Sequence, residues 1–226
     1  MIISHDHRLI FIKTKKTAGT SFEIALSRFC GEQDTLTPIS EKDELTREEM
    51  GFAGPRNYNL VRKNGETRKV KLYNHIDALS LKRVLDPDIW KSYRKIAIIR
   101  DPYDCLVSWY YWSVRGKKRR PSFWGFLAEN PYTVVENFKM LKVKGRSVID
   151  NLIYYEDLKG GIENLEQEVP SLAGLYSLFS GINAKGDVRP KENIPTTGEL
   201  FESHPKAFEL VRLLLEDEDL AASYLK

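Results

Sequence analysis

Short apolar runs alternate along this chain with segments in which apolar residues recur at helical spacing. The runs at residues 8–13, 95–99 and 148–154 are rich in Ile, Leu and Val, as in strands that are buried on both faces. Residues 20–29 instead place Phe22, Ala25, Leu26 and Phe29 on one side of a helix. Strands separated by helices predict an α/β fold, with a mostly parallel central sheet flanked by helices. Further helices are predicted at 41–50, 78–85, 104–114, 122–128, 133–141, 162–168, within 170–191 and at 205–220.

The length and the spacing of these elements predict one domain over residues 1–226. Asn64 and Gly65, between the apolar pairs at 60–61 and 70–72, predict a hairpin turn. Residues 31–59 form the most polar stretch, rich in Glu, Thr, Pro and Gly. We expect this stretch to cover the substrate pocket.

Charge and cysteine content exclude several classes of protein. The chain has 35 basic and 32 acidic residues and a net charge of +3, which is too balanced for a general nucleic-acid binder. It contains no apolar run long enough to span a membrane, and its first residues lack the features of a secretory signal. Cys30 and Cys105 do not form a metal or redox motif. A cytoplasmic location is expected.

Two segments that follow apolar strands carry the candidate chemistry. Lys15–Ser21 reads Lys-Lys-Thr-Ala-Gly-Thr-Ser, and 100–108 reads Arg-Asp-Pro-Tyr-Asp-Cys-Leu-Val-Ser. Each predicts a strand, a tight turn and the start of a helix, where backbone N–H groups and nearby cations bind anions. Together with the strand end at 154–157, they would gather at the carboxyl edge of the sheet. Two such sites favour a nucleotide that carries phosphates at both ends.

These motifs resemble those of sulfotransferases that use 3′-phosphoadenosine 5′-phosphosulfate (PAPS), especially the carbohydrate-type branch. The loop from Lys16 to Ser21 matches that family's 5′-phosphosulfate loop, whose pattern is Pro-Lys-Thr-Ala-Gly-Thr-Ser. Arg100, followed eight residues later by Ser108, matches its 3′-phosphate motif, and Tyr155 stands where a tyrosine approaches the adenine. The likeness spans nearly the whole chain and implies the P-loop-kinase-like sulfotransferase fold.

The resemblance implies transfer of a sulfo group from PAPS to a hydroxyl or amine, with 3′-phosphoadenosine 5′-phosphate (PAP) as the product. Lys13 and Lys15 stand where the family has histidine and proline, so Lys15 competes with Lys16 for the leaving phosphate. Arg189 and Lys191 occupy the place of a further phosphate-binding segment without matching its pattern. The residues predicted to contact the donor are Lys15, Lys16, Thr17, Ala18, Gly19, Thr20, Ser21, Arg100, Ser108, Tyr155, Arg189 and Lys191.

The chemistry assigns roles to two catalytic candidates. Lys16 can stabilise the charge that grows on the leaving phosphate, and His75 is the candidate base for the acceptor proton. With an ordinary imidazole pKa, the rate would fall below about pH 6.5. Glu23, Asp77 and the acidic residues at 41–49 are the alternative bases. No metal is expected, because the donor does not require a divalent ion and the chain offers no carboxylate cluster.

Two other function classes remain open from the sequence. A small-molecule kinase would share the fold, but its loop pattern needs a second glycine, and only Gly19 is present here. A catalytically silent nucleotide-binding protein would keep Arg100 and Ser108 but lose Lys16 and His75. His75 can also be read as a surface or capping residue, and the Arg100 motif as a structural turn. The expected partner is a carbohydrate, lipid or small-molecule acceptor, with no nucleic acid and no membrane span.

Overall fold

The computed structural model describes residues 1–64, 66–182 and 195–224, with only the backbone given for 62–64 and 66–68. The chain divides into two compact units. The first comprises Met1–Ile99 and Met140–Ala184, and the second comprises Arg100–Lys139 and Lys185–Lys226. The prediction of a single domain stays a prediction.

The described elements alternate much as the apolar pattern predicts. The strands are β1 Ile2–Ser4, β2 Leu9–Phe11, β3 Thr35–Leu36, β4 Asn59–Asn64, β5 Glu66–Lys71, β6 Arg94–Ile99, β7 Lys142–Val143, β8 Arg146–Ser147 and β9 Asn151–Tyr154. The α-helices are α1 Gly19–Ser27, α2 Glu41–Glu49, α3 Ala78–Val84, α4 Pro87–Ser92, α5 Pro102–Val114, α6 Phe123–Glu129, α7 Thr133–Met140, α8 Leu158–Glu168, α9 Leu175–Ser180, α10 Thr197–Glu202 and α11 Pro205–Leu215. Short 3₁₀ turns cover Tyr155–Asp157, Pro170–Leu172 and Asp219–Tyr224.

The main sheet of the first unit has the strand order β3-β1-β2-β6-β9. β2 pairs in parallel with β6, and β6 pairs in parallel with β9. β1 runs antiparallel to both β2 and β3, so four of the five strands point in one direction. The predicted mixed α/β fold with a mostly parallel central sheet is therefore confirmed.

The sheet is buried on both faces, which explains why its central strands read as continuous apolar runs. Leu9 and Phe11 of β2 belong to a core with α1, α8 and α9, as do Ile96 and Ile98 of β6. Side chains alternate along a strand, so Ile10 and Ala97 point to the opposite face, where they are also fully buried. All nine residues of α1 are buried as well.

The second unit is helical, and its helices pack on one another through aromatic side chains. Tyr103 of α5 contacts Phe201 of α10 edge-on and stacks on Phe208 of α11, with ring centroids 5.1 and 5.4 Å apart. Tyr110 of α5 meets Phe123 of α6 at 5.5 Å. Edge-to-face and offset rings of this kind add to the energy of apolar burial. Tyr110 thus contributes to helix packing, whereas Trp112 of the same helix is exposed.

The structure differs from the predicted elements at short segments and at helix ends. The pattern does not predict α4 or α10, α8 begins four residues before the predicted start, and α11 ends at Leu215 instead of 220. β1, β3, β7 and β8 have two or three residues each, which is too few for an alternating pattern to show. α5 begins two residues before the predicted start because Asp101 caps it and Pro102 is its first residue. Gly65 of the predicted hairpin turn, and most of the predicted loop before Lys191, lie outside the described residues. β4 and β5 pair antiparallel around that turn, as predicted.

Candidate functional site

The carboxyl ends of β2, β6 and β9 lie on one edge of the sheet because the three strands are adjacent and parallel. Ile99 at the end of β6 pairs with Tyr154 at the end of β9. The loop after β2 is tied to the same edge, since the Thr14 hydroxyl donates to the carbonyl of Ile98 in β6. A second hydroxyl, that of Thr17, lies 2.8 Å from the Thr14 oxygen. Thr14 is therefore an anchor of this loop that the sequence motif did not reveal.

The backbone of this loop adopts an uncommon conformation before α1. Lys16 and Ala18 have φ values of +63° and +58°, in the left-handed region that residues with a side chain rarely enter. Turns of this kind direct successive N–H groups to one side and form anion-binding concavities. Ala18 is the N-cap of α1 and provides no side-chain hydrogen bond. The first turn of the helix, which begins at Gly19, contains no acidic residue. This geometry suits an anion, as the motif predicts.

The three lysines of the loop have different environments. Lys13 is 2% exposed and belongs to the core, whereas Lys15 and Lys16 are only partly buried. Gly19 suits this position because a Cβ here would lie 3.0 Å from Lys13 Cγ, which is a tight contact. Lys15 and Lys16 both remain candidates for the leaving phosphate.

Glu23 explains why Lys13 can be buried. It lies in α1, is fully buried, and accepts a hydrogen bond of 2.7 Å from Lys13 Nζ. Arg47 of α2, also fully buried, has Nη2 3.6 Å from Glu23 Oε1 and donates to Glu44. Burial alone would raise the pKa of Glu23, but the charges of Lys13 and of the Met1 amine, which donates to Glu23 Oε1 at 2.7 Å, together more than offset it and lower the pKa to about 2. A single charged residue, Glu23, in the buried helix α1 is the sequence signal that could have indicated this buried pair.

His75 lies between β5 and α3 and contacts the start of the loop. Its Nδ1 is 3.0 Å from the carbonyl oxygen of Lys13. A carbonyl only accepts hydrogen bonds, so Nδ1 carries the proton and Nε2 of the neutral ring carries the lone pair. Burial, together with the charges of Lys13 and Lys15, lowers the pKa of His75 to about 4. The imidazole is therefore neutral at pH 7, and the expected fall in rate moves from about pH 6.5 to about pH 4.

Four of the alternative carboxylate bases are engaged in structural contacts. Asp77 caps α3 by accepting from the backbone N–H and the hydroxyl of Ser80, at 2.9 and 2.7 Å. Asp43 accepts from the hydroxyl of Ser40 at 2.6 Å, and Glu44 pairs with Arg47. Glu23 is buried with Lys13. These contacts favour His75 as the candidate base of the first unit.

The tyrosines that end β9 lie on the same edge of the sheet. Tyr154 is 40% exposed, whereas Tyr155 is partly buried against the apolar core beneath α1 and α8. Asp157 caps α8 through the N–H of Gly160 at 2.9 Å. The assignment of Tyr155 to the adenine stays a prediction.

In the second unit, Arg100 is held by a carboxylate at the start of α5. Its Nε donates to Asp104 Oδ2 at 2.8 Å, and its Nη2 donates to the same oxygen. Asp104 also accepts from the hydroxyl of Thr197 at 2.7 Å, and its N–H donates to Asp101 at 2.8 Å. The Asp101 carboxylate thus caps one N–H group at the start of α5, and the role of this helix end as an anion site stays a prediction.

Ser108 lies four residues after Asp104 in α5, and therefore on the same face of the helix. The assignment of Arg100 and Ser108 to the 3′-phosphate stays a prediction. Arg189 and Lys191 lie outside the described residues, and their assignment stays a prediction.

The described part of the chain has neither a metal-binding cluster nor a membrane-spanning helix. Within residues 1–64, 66–182 and 195–224, no three His, Cys, Asp or Glu side chains are grouped to hold a metal ion. His5 contacts the Tyr93 hydroxyl at 2.8 Å, and His7 contacts the carbonyl of Phe29 at 2.9 Å. None of the described helices combines the length and apolar character that crossing a membrane requires.

Comparison with known families gives one result that covers most of the chain. Residues 1–164 match the model of the sulfotransferase family. Neither the curated proteins nor the solved structures give a match. The chain belongs to the sulfotransferase family, and the carbohydrate-type motif fits that family. The family identifies the protein as a transferase that moves sulfo groups.

Proposed function

We propose that this sulfotransferase transfers the sulfo group of PAPS to a hydroxyl or amine of an acceptor. The observation that carries the proposal is the contact between His75 and Lys13, at the start of the loop that resembles a 5′-phosphosulfate loop. This contact brings a neutral base and an anion-binding turn together in one compact unit. Family membership favours sulfo transfer over the kinase alternative.

The donor would be held by residues of two motifs. The loop from Lys15 to Ser21 has the backbone of an anion-binding turn and would take the 5′-phosphosulfate. Arg100 and Ser108 would take the 3′-phosphate, because a guanidinium and a hydroxyl can both donate to phosphate oxygens. Tyr155 would lie along the adenine, and Arg189 and Lys191 would add further cations.

The reaction is an in-line exchange at sulfur. A bond forms between the acceptor oxygen or nitrogen and sulfur as the bond from sulfur to the 5′-phosphate oxygen breaks. His75 Nε2 accepts the proton that the acceptor loses, and PAP leaves with the electron pair. Lys16 offsets the negative charge that develops on the bridging oxygen, with Lys15 as its competitor. No step requires a metal ion.

The proposal also covers the class of the acceptor and the location of the enzyme. We infer a carbohydrate, lipid or small-molecule acceptor and a cytoplasmic enzyme. Residues 31–59 are proposed to cover the acceptor. Support for this comes from Arg47 in α2, which contacts Glu23 of α1 and so ties this stretch to the helix that begins at the loop.

Thermal unfolding with added nucleotides tests the donor, since a ligand that binds only the folded chain raises its melting temperature. PAP at a concentration of about 100 times its Kd should stabilise the protein by about 2.7 kcal/mol. Adenosine 5′-phosphate should do so far less, and ATP with magnesium is the comparison for a kinase. Equal shifts from PAP and ATP would contradict the donor assignment. Labelled PAPS with a panel of acceptors then identifies the acceptor class.

A further inference from the structure

Lys13 joins two groups through opposite parts of the same residue. Its side-chain ammonium donates to the buried carboxylate of Glu23 at 2.7 Å. Its backbone carbonyl accepts from Nδ1 of His75 at 3.0 Å. Glu23 is therefore connected to the candidate base through Lys13, which contacts both side chains.

The Lys13 carbonyl lies beyond the end of β2, where regular sheet bonding stops. Ile12 still donates to the carbonyl of Ile96 at 2.9 Å, and the following anchor is the Thr14 hydroxyl on β6. Between these anchors, the side chain of Lys13 is held by its buried ion pair with Glu23, which restrains the residue whose carbonyl contacts His75.

We propose that Glu23 is a positioning residue, which acts through Lys13 to hold His75 in the tautomer with the proton on Nδ1 and the lone pair on Nε2. The role of His75 as a base rests on the proposed function, but its tautomer does not. A fixed hydrogen-bond acceptor at Nδ1 is the general means by which a protein selects one imidazole tautomer.

The surroundings of His75 agree with this arrangement. The charged groups that face it are the ammonium groups of Lys13 and Lys15 and the Met1 amine, all of which disfavour a second proton on the ring. The carboxylate of the nearby Asp77 is bound to Ser80. Because the charged groups that face the ring are cationic, the hydrogen bond to the Lys13 carbonyl is the contact that orients the imidazole.

Nitrogen NMR of the full chain, labelled at its four histidines, reads the tautomer directly. The His75→Asn variant identifies the His75 signals. We expect a single tautomer with Nδ1–H in the wild-type chain, and a mixture of both tautomers in Glu23→Gln and Lys13→Met. Lys13→Arg, which keeps the charge, should retain the single tautomer. In an active preparation, kcat should fall about ten- to a hundredfold in the two disruptive variants, which is less than a complete loss of base catalysis.

A buried charge without its partner can unfold a protein, so a double variant supports the test. Lys13→Met with Glu23→Gln removes both charges of the pair and keeps a side-chain oxygen for the Met1 amine, which donates to Glu23 at 2.7 Å. Asp34→Asn is the matched control, because Asp34 is an equally buried carboxylate that accepts from Ser4 and from the His5 N–H. This control should lower stability and leave the His75 tautomer unchanged.

Two results would overturn the proposal. The first is a wild-type His75 with the proton on Nε2, or with both tautomers populated. The second is an unchanged Nδ1–H tautomer in a folded variant that lacks the pair, whether single or double. A chain that keeps the expected tautomers but does not use PAPS would instead contradict the proposed function alone, so the two failures are distinguishable.

Discussion

The two strand-to-helix turns that carry the motifs differ in how the first N–H groups of the following helix are bonded. The turn before α1 has residues in the left-handed region at Lys16 and Ala18, and no side-chain cap on the helix. The turn before α5 has Pro102 as its first helical residue and a cap from Asp101. The first turn is thus arranged around backbone groups, whereas the second satisfies its helix end with its own carboxylate.

This difference separates the tasks that each turn can perform. An uncapped helix start in a curled loop attracts an anion through N–H groups and the helix dipole. At the start of α5 the Asp101 carboxylate already accepts the N–H of Asp104, so we expect anion binding there to depend more on the Arg100 guanidinium, which Asp104 contacts. We therefore expect the α1 turn to act on the reacting group and the α5 turn to act mainly on affinity.

The largest effect is expected from His75, which belongs to the α1 side of this comparison. His75→Ala should lower kcat by about 10²–10⁴-fold, the usual contribution of a general base, and leave the thermal shift by PAP nearly intact. His7→Ala is the control, because His7 contacts Ser171 and Phe29 instead. A fully active His75→Ala enzyme would return the role of base to a carboxylate.

The pH profile sharpens this prediction. Because burial and the neighbouring lysines lower the pKa of His75 to about 4, the acid limb of kcat should lie near pH 4. In the unfolded chain His75 regains a pKa near about 6.5 and takes up a proton that the folded chain does not. Stability should therefore decrease as pH falls from about 6.5 to 4, so the folded fraction must be followed by circular dichroism at each pH. An acid limb near pH 6.5 that disappears in His75→Ala would contradict the buried environment.

Lys16 should give the next largest effect. Lys16→Ala removes a charge that stabilises the leaving phosphate and should cut kcat by about 10²–10³-fold, with little change in PAP binding. Lys15→Ala, one residue away and similarly exposed, is the matched comparison. If Lys15→Ala lowers kcat more, Lys15 is the residue that contacts the leaving phosphate.

Much of this comparison could be predicted from local sequence. Apolar runs followed by Gly19 or by Asp101-Pro102 identify both strand-to-helix turns, because strands and helix starts depend on neighbouring residues. The position of His75 between a strand and a helix is local in the same way. The parallel order of the central strands also follows from their separation by helices.

The environment of the site could not be predicted, because it depends on residues distant in sequence. Lys13 looks like a solvated loop cation, yet Glu23 and the packing of α1 make it part of the core. The contact of His75 with Lys13 crosses 62 positions, and only this fold buries the ring and lowers its pKa. The pairing of Asp104 with Thr197 likewise depends on a helix 93 residues later.

Substitutions in the α5 turn should change the affinity for PAP and not kcat. Arg100→Ala removes a charged hydrogen-bond donor and should weaken PAP binding by roughly 1.5–3 kcal/mol, without lowering kcat at saturating donor. Arg100→Lys should lie between wild type and alanine, since lysine keeps the charge but cannot bridge Asp104 and a phosphate. Titration calorimetry with PAP measures the effect. Arg94→Ala, at the other end of β6, is the control, because Arg94 pairs with Glu168. A loss of kcat with unchanged PAP affinity would remove the distinction between the two turns.

The smallest effects are expected on the free energy of unfolding. A substitution in the turn before α1 should raise it, and one in the turn before α5 should lower it. Ala18 has a φ of +58°, which costs a residue with a Cβ about 1–2 kcal/mol, whereas glycine adopts it readily. Ala18→Gly should therefore raise the free energy of unfolding by up to about 1 kcal/mol, after the greater entropy of glycine in the unfolded chain is deducted. Asp101→Ala removes the cap of α5 and should lower that free energy by about 1 kcal/mol. Urea unfolding monitored by circular dichroism compares them, with Ala25→Gly in the interior of α1 as a destabilising control. If Ala18→Gly is as destabilising as Ala25→Gly, the turn before α1 is not held under backbone strain, and its shape must come from the Thr14 anchor and the Lys13–Glu23 pair alone.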